Sequence, residues 1–193
     1  MKKFILFFVI AFCCAMAIPV AAQPSAAQVR AAMKRFPGVD FETMDQCLAA
    51  KRVMGVALPT WLPKGFQLDS TKVRLGRGVA IEDREFVVVY RRSLANGKYQ
   101  SFALEAGFDG LGGLPYETTK VITSAFGKID LMYEPMDVDG DVRLKDYAMT
   151  EWFNVGKTPF HYDGMYGFEP DSKEQTMISL ADTEKILKSL KRL

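Results

Sequence analysis

Two extended runs on either side of an Asn-Gly pair constrain the fold of this chain most. Residues Glu85–Arg91 are mainly β-branched and aromatic, and Tyr99–Ala106 form a second run of the same kind. The pair Asn96-Gly97 lies between them. Because Asn and Gly both tolerate positive φ, this arrangement is typical of a β-hairpin. It predicts two antiparallel strands, one face of which other elements have to cover.

Further extended runs predict that the hairpin belongs to a larger antiparallel sheet. They are short and separated by turn residues, as expected for strands joined by tight connections. These additional strands are predicted over residues 66–75, 121–126, 129–133, 147–155 and 160–166.

Helices are predicted at both ends of the sheet region. Ser25 and Gln28 have the spacing of a capping box and open a helix over residues 25–35. A second helix is predicted from Glu42 to Met54, ended by Gly55, and a last one after Ser179. Amphipathic helices next to an antiparallel sheet indicate the α+β class.

The N-terminus indicates export. Lys2 and Lys3 precede an apolar run, and the small residues Val20 and Ala22 precede Gln23, which is the pattern of a cleaved signal peptide over residues 1–22. The apolar run has about 15 residues, fewer than the ~20 that span a bilayer. We therefore expect a periplasmic or otherwise secreted protein with no stable membrane insertion after cleavage.

The rest of the chain is predicted to form one globular domain. Residues 23–55 are expected to form the N-terminal helices, and residues 56–193 the sheet with the C-terminal helix. The formal net charge is +2, and removal of Lys2 and Lys3 balances basic and acidic side chains. A nucleic-acid partner is not expected, because such proteins usually carry a strong basic excess.

One compact motif carries a family resemblance. The run Pro59–Phe66 reads P-T-W-L-P-K-G-F, and it resembles the "P-x-[aromatic]-L-P-x-G-[aromatic]" signature of an uncharacterised bacterial domain family. That family occurs in exported proteins and in the extracytoplasmic parts of anti-sigma factors. The resemblance covers about Ala49 to Leu193. It implies a curved, half-barrel-like antiparallel sheet, related to lipoprotein-carrier and periplasmic sigma-regulator folds, and no catalytic residues.

The chain offers little for catalysis, metals or cofactors. His161 is the only histidine, and Cys47 is the only cysteine outside residues 1–22, so a zinc ligand set is absent. No motif surrounds a Cys47–His161 pair, and Cys47 is expected to be a small buried side chain. Residues Asp137–Asp141 do not have the spacing of a calcium loop and predict an acidic turn. No catalytic residue, metal or cofactor is predicted.

Two charged groups leave alternatives open. Glu82, Asp83 and Glu85 could serve an acidic hydrolase, although neighbouring acids at the start of a strand are usually solvated. Nearby arginines could form a basic surface for an anionic partner or, as we favour, local salt bridges with those acids. These arginines are Arg74, Arg77, Arg84, Arg91 and Arg92.

The aromatic side chains predict the function. We expect Trp61, Trp152, Phe160 and Tyr162 to line a groove between sheet and helices, gated by the loop over residues 107–113. The alternative is that they fill the core, and Trp61 itself is expected to pack between the Pro59–Pro63 segment and a helix. The hypothesis is an exported, non-catalytic binding module of the cell envelope for a lipid, a hydrophobic peptide or a protein partner. A small exported hydrolase is the alternative function.

Overall fold

The computed structural model describes residues 23–74, 84–107, 116–135, 147–164, 166 and 174–193. The predicted signal peptide, most of the glycine-rich loop and the acidic stretch lie outside the described residues. Arg77, Glu82 and Asp83 lie outside them too.

The described residues form helices at both ends of the chain with strands between them. The helices are α1 (Ala26–Arg35), α2 (Phe41–Ala50) and α3 (Leu180–Ser189). The strands are β1 (Ala57–Pro59), β2 (Gln67–Arg74), β3 (Glu85–Ser93), β4 (Tyr99–Gly107), β5 (Tyr116–Ser124), β6 (Gly127–Pro135), β7 (Ala148–Thr150), β8 (Phe153–Val155), β9 (Thr158–Asp163) and β10 (Leu190–Arg192).

Eight of these strands form one antiparallel sheet. Its order is β2-β3-β4-β9-β7-β6-β5, with β8 paired to β9. The sheet is open, because β2 and β5 stand at opposite ends of this order. The short strands β1 and β10 pair separately and join the N-terminal helices to the end of α3. The predicted α+β class, with an antiparallel sheet and helices at both termini, is confirmed.

The main core lies between one face of this sheet and the helices. Alternate residues of β3, Phe86, Val88 and Tyr90, enter the same core cluster as Cys47 of α2 and Leu187 of α3. Side chains alternate between the two faces of a strand. The intervening Val87 and Val89 therefore lie on the opposite face, where they form a second small cluster with Ala103.

The local signals for the helix starts and the hairpin are confirmed. The Gln28 N–H donates to Ser25 Oγ at 3.3 Å, and the Ser25 N–H donates to Gln28 Oε1 at 2.8 Å. Ser179 Oγ accepts from the Asp182 N–H. Asn96 and Gly97 have φ of 60° and 72°, although their connection is a single 3₁₀ turn over Ala95–Gly97.

The predicted end of the second helix is wrong. Helix α2 ends at Ala50, and residues 51–54 form a turn. Gly55 lies so close to β8 that a Cβ there would come within 1.8 Å of the Val155 carbonyl oxygen. Its N–H donates to Thr158 Oγ1 at 2.6 Å. The chain therefore leaves the helix early because Gly55 has to pass against the β8–β9 hairpin.

The single strand predicted over residues 147–155 is also wrong, since it is divided into β7 and β8. Between them the Glu151 N–H donates to the Asp130 carbonyl of β6. Strand β8 instead pairs back onto β9, with Phe153 opposite Phe160. The chain thus leaves β6 at Glu151 and Trp152, while both β7 and β8 pair with β9.

Candidate functional site

The structure does not bring the four predicted aromatic residues together. Phe160 and Tyr162 are 0% exposed and lie in the core between sheet and helices. The Tyr162 hydroxyl lies 3.2 Å from Thr183 Oγ1 of α3. These two rings fill the core, as the alternative for the aromatic side chains predicted.

Trp152 and Trp61 lie elsewhere. Trp152 stacks on His161 at a centroid distance of 5.0 Å, and His161 alternates with Phe160 and Tyr162 along β9, so it projects from the other face. Trp61 is 37% exposed beside α3, with Lys185 Nζ 5.4 Å from its ring centroid. Trp61 thus lies between the buried Pro59 and Pro63 and next to α3, as expected, but it is partly exposed and is not part of the core cluster. A binding role for these four residues stays a prediction.

A cavity opens between α1, α2 and the last residue of the chain. Its volume is about 470 Å³, which lies in the range of about 300–1,000 Å³ typical of small-molecule sites. Most of its lining is apolar. The apolar side chains that line it are those of Pro24, Ala31, Ala32, Phe36, Leu48 and Leu193. We call this cavity the helix pocket.

Three cations line the same pocket. They are Arg35, Lys51 and Arg52, and Gln28 is the remaining polar lining residue. The Arg35 guanidinium carbon lies 5.1 Å from the Phe36 ring centroid. No carboxylate of the described residues pairs with Arg35 or Lys51. The pocket therefore combines apolar walls with two cations, Arg35 and Lys51, that pair with no described carboxylate.

Two of the cations that line the helix pocket lie at the C-terminal ends of helices, where positive charge is stabilising. Arg35 lies in the last turn of α1, and Lys51 is the C-cap residue of α2. The C-terminal end of a helix carries partial negative charge, which favours cationic side chains. Helices α1 and α2 pack against each other, and both cations line the helix pocket.

A second group of polar side chains lies on the sheet face opposite the helices. Glu105 of β4 faces His161 of β9, and Asp163 faces Ala103 two positions along the same strands, on the same face of the sheet. The Tyr147 hydroxyl donates to Asp163 Oδ1 at 3.0 Å. We call Glu105, His161, Asp163 and Tyr147 the acidic cluster.

Burial shifts the proton affinities of the acidic cluster. Burial raises the pKa of Glu105 to about 7, and the charges of Asp163 and Glu85 act in the same direction, whereas Lys72 opposes them. Burial lowers the pKa of His161, against the effect of Asp163. His161 Nδ1 lies 2.7 Å from the Thr150 carbonyl oxygen. The pKa shifts of Glu105 and His161 favour their neutral forms.

Other combinations considered for chemistry are not assembled. Cys47 lies in the core beneath the helices, whereas His161 projects from the opposite face, so the two cannot form a catalytic pair. Burial raises the pKa of the Cys47 thiol to about 12. Among the described residues, no group of three or more His, Cys, Asp and Glu side chains could hold a metal ion.

The favoured salt bridges of Arg91 and Arg92 are also absent from the described residues. The Arg91 guanidinium lies 3.8 Å from the Tyr99 ring centroid. Arg92 Nε donates to Gln100 Oε1 at 2.7 Å, while Glu85 pairs with Lys72 at 2.9 Å. Among the described residues, Arg91 and Arg92 thus make ring and amide contacts and Glu85 pairs with Lys72, whereas the predicted pairing with Glu82 and Asp83 lies outside the described residues.

None of the helices in the described parts of the chain has the length and apolar character needed to cross a membrane.

Apart from His161, the residues of both candidate sites were not predicted as site residues from the sequence. Lys51 and Arg52 are adjacent to each other but distant from Arg35 in the sequence, and only the packing of α1 on α2 unites them. Glu105 gave a weak signal, because it is the one charged residue in the otherwise apolar stretch Phe102–Ala106.

Comparison of the chain with protein-family models, with curated proteins and with solved structures finds no match. The family resemblance of the Pro59–Phe66 motif therefore stays a prediction, and the function has to be argued from the geometry of the two sites.

Proposed function

We propose that this chain is an exported, non-catalytic binding protein of the cell envelope and that an apolar ligand occupies the helix pocket. The observation that carries the proposal is a cavity of about 470 Å³ with mainly apolar walls. Burying an apolar ligand against such walls is favourable by roughly 25 cal/mol for each Å² removed from water. The predicted aromatic groove is not the basis of the proposal, since its four residues do not converge.

A neutral, polarity-sensitive dye such as Nile red tests the pocket without supplying a charge. We expect saturable dye binding by the wild-type chain and its loss in Ala31→Trp. Ala31 is exposed at the pocket wall, so an indole there fills the cavity without disturbing the core. Ala26→Trp is the matched control, because Ala26 is exposed on the same helix but does not line the pocket. Equal dye binding by the two variants would contradict the proposal.

Native mass spectrometry tests export and the native ligand together. For protein recovered from the periplasm of an expressing cell, we expect a mass that corresponds to a chain beginning at Gln23, together with a bound small molecule. Retention of residues 1–22 would contradict the export proposal. A bound peptide or protein in place of a small molecule would identify a different class of ligand.

The acidic cluster supports the hydrolase as a second candidate. The pKa of Glu105 is raised to about 7, in part by the charge of Asp163, and a carboxylic acid whose pKa lies near the working pH suits general acid–base catalysis. A panel of ester and glycoside substrates tests it. Turnover that disappears in Glu105→Gln but survives in the exposed variant Glu42→Gln would support the hydrolase. Absence of turnover in the wild-type chain would contradict this second candidate function.

A further inference from the structure

We propose that the ligand of the helix pocket is a single-chain amphiphile with an anionic head group, held by Arg35 and Lys51 while its chain lies on the apolar walls. This inference rests on the proposed binding function and specifies the chemical class of the ligand.

The charge of the lining carries the inference. Arg35, Lys51 and Arg52 line the pocket, and none of its ten lining side chains is acidic. Because no described carboxylate pairs with Arg35 or Lys51, a neutral apolar ligand would leave both side chains without an ion pair among the described residues. A carboxylate would supply the missing charge and would form charge-assisted hydrogen bonds with them.

The arrangement of the lining fixes the polarity of the bound molecule. Arg35 and Phe36 are consecutive, and the guanidinium lies over the Phe36 ring. Stacking on a ring face leaves the N–H edge of a guanidinium available for a planar carboxylate. Phe36 is buried, whereas Arg35 and Lys51 are exposed. The head group therefore lies at the opening and the chain points inward.

Displacement of Nile red by a fatty acid and by the fatty alcohol of the same chain length separates the two contributions. Both share the apolar chain, and only the acid carries a charge. We expect the acid to displace the dye from the wild-type chain at a concentration about tenfold lower than the alcohol does, which corresponds to about 1.4 kcal/mol.

Two variants that each remove one positive charge test whether Lys51 and Arg35 hold the head group. Lys51→Gln and Arg35→Gln should each weaken displacement by the acid several-fold and weaken displacement by the alcohol much less. Lys34→Gln and Arg30→Gln are the matched controls, because they remove the same charges from exposed positions of α1 that do not line the pocket. Lys51 is exposed, so its substitution leaves the core intact.

The outcomes distinguish this inference from the binding function. Equal displacement by acid and alcohol, with dye binding still blocked by Ala31→Trp, would overturn the anionic head group and leave the binding function standing. Equal weakening by the control and pocket variants would show nonspecific attraction and would also overturn the inference. If the wild-type chain does not bind the dye and neither amphiphile binds, both proposals fail.

Discussion

At the centre of the core, the hydroxyl group of Tyr90 is buried without a hydrogen-bond partner among the described residues. Its ring stacks on Phe102 at a centroid distance of 5.0 Å, so the ring contributes packing while the hydroxyl contributes a desolvation cost. Tyr162, in contrast, has its hydroxyl 3.2 Å from Thr183 Oγ1. The two buried tyrosines therefore differ in what their hydroxyl groups contribute to stability.

Removal of the two hydroxyl groups should have different effects. Tyr90→Phe is expected to leave the free energy of unfolding unchanged or to raise it, because a buried unpaired polar group costs roughly 1–3 kcal/mol. Tyr162→Phe should lower it by about 1 kcal/mol through the lost hydrogen bond. Urea denaturation measures both. A clear loss of stability in Tyr90→Phe would indicate that the hydroxyl has a partner in the folded protein.

Glu105 should make stability depend on pH. Its folded pKa of about 7 lies above the ordinary value of 4.5, so the folded state binds the proton more tightly than the unfolded state does. This contribution is fully present below about pH 4.5 and is lost as the pH rises through about 7. His161 has a lowered pKa, so its contribution is instead lost as the pH falls below its ordinary value.

Urea midpoints measured at several pH values between about 5 and 8 test the effect of Glu105. The wild-type chain should lose stability toward the alkaline end, and Glu105→Gln should flatten that part of the profile because its amide stays neutral. Glu42→Gln, at an exposed site on α2, should keep the wild-type profile. A Glu105→Gln profile identical to that of the wild type would show that another group titrates.

Trp61 should contribute little to stability despite its size. The ring is 37% exposed and its described ring contact is with Lys185, so Trp61→Ala should cost about 1 kcal/mol or less, as surface changes do. Phe160→Ala, at a fully buried ring, should cost about 3–5 kcal/mol. Chemical denaturation of both variants gives the comparison. Similar losses would show that Trp61 belongs to the core.

At the scale of elements, signals contained in a few consecutive residues were predicted well. The capping box of α1, the N-cap at Ser179 and the Asn96-Gly97 turn each depend on groups within three or four positions, so the sequence contains all the atoms involved. The end of α2 depends on Val155 and Thr158, about a hundred residues away. That boundary could not be predicted from local preference, because a tertiary contact decides it.

Gly55→Ala tests this contact. A methyl group there would lie 1.8 Å from the Val155 carbonyl oxygen. A backbone atom cannot move aside as easily as the end of a flexible side chain. We expect a loss of about 2–3 kcal/mol or more, as for other overpacked sites. Gly107→Ala is the matched control, because its added methyl group would lie at an ordinary 3.6 Å from the Arg84 carbonyl oxygen. Thermal unfolding of both compares them, and equal stability would show that the β8–β9 hairpin can move away.

At the scale of the whole molecule, the fold class was predicted and the helix pocket was not. The fold class follows from local sequence patterns, whereas the pocket depends on contacts between distant parts of the chain. Alternation along β9 places Phe160 and Tyr162 in the core and His161 on the other face, so nearby aromatic residues need not share a surface. The helix pocket instead combines residues near both ends of the domain, including Gln28 and Leu193. The pairing of β1 with β10 is what brings them together.

Removal of residues 191–193 tests the link between this closure and binding. The truncated chain loses the pairing of Leu58 with Lys191 and the hydrogen bond from the Leu193 N–H to the Val56 carbonyl, which is 3.0 Å long. It keeps Leu190 in the core. We expect the chain to remain folded with a stability lower by about 1–3 kcal/mol, from two or three hydrogen bonds worth about 1 kcal/mol each.

The truncated chain should bind Nile red much more weakly than the full chain, although it stays folded. The reason is that Leu193 forms one wall of the helix pocket. The double variant Lys191→Ala/Arg192→Ala is the control, since it removes the same two charges but keeps the backbone pairing and Leu193. Circular dichroism establishes that both chains are folded, and Nile red titration compares them. A pocket that has lost a wall also loses the apolar contacts that the wall supplied. If the truncated chain nevertheless binds the dye as tightly as the control does, the dye binds elsewhere on the molecule.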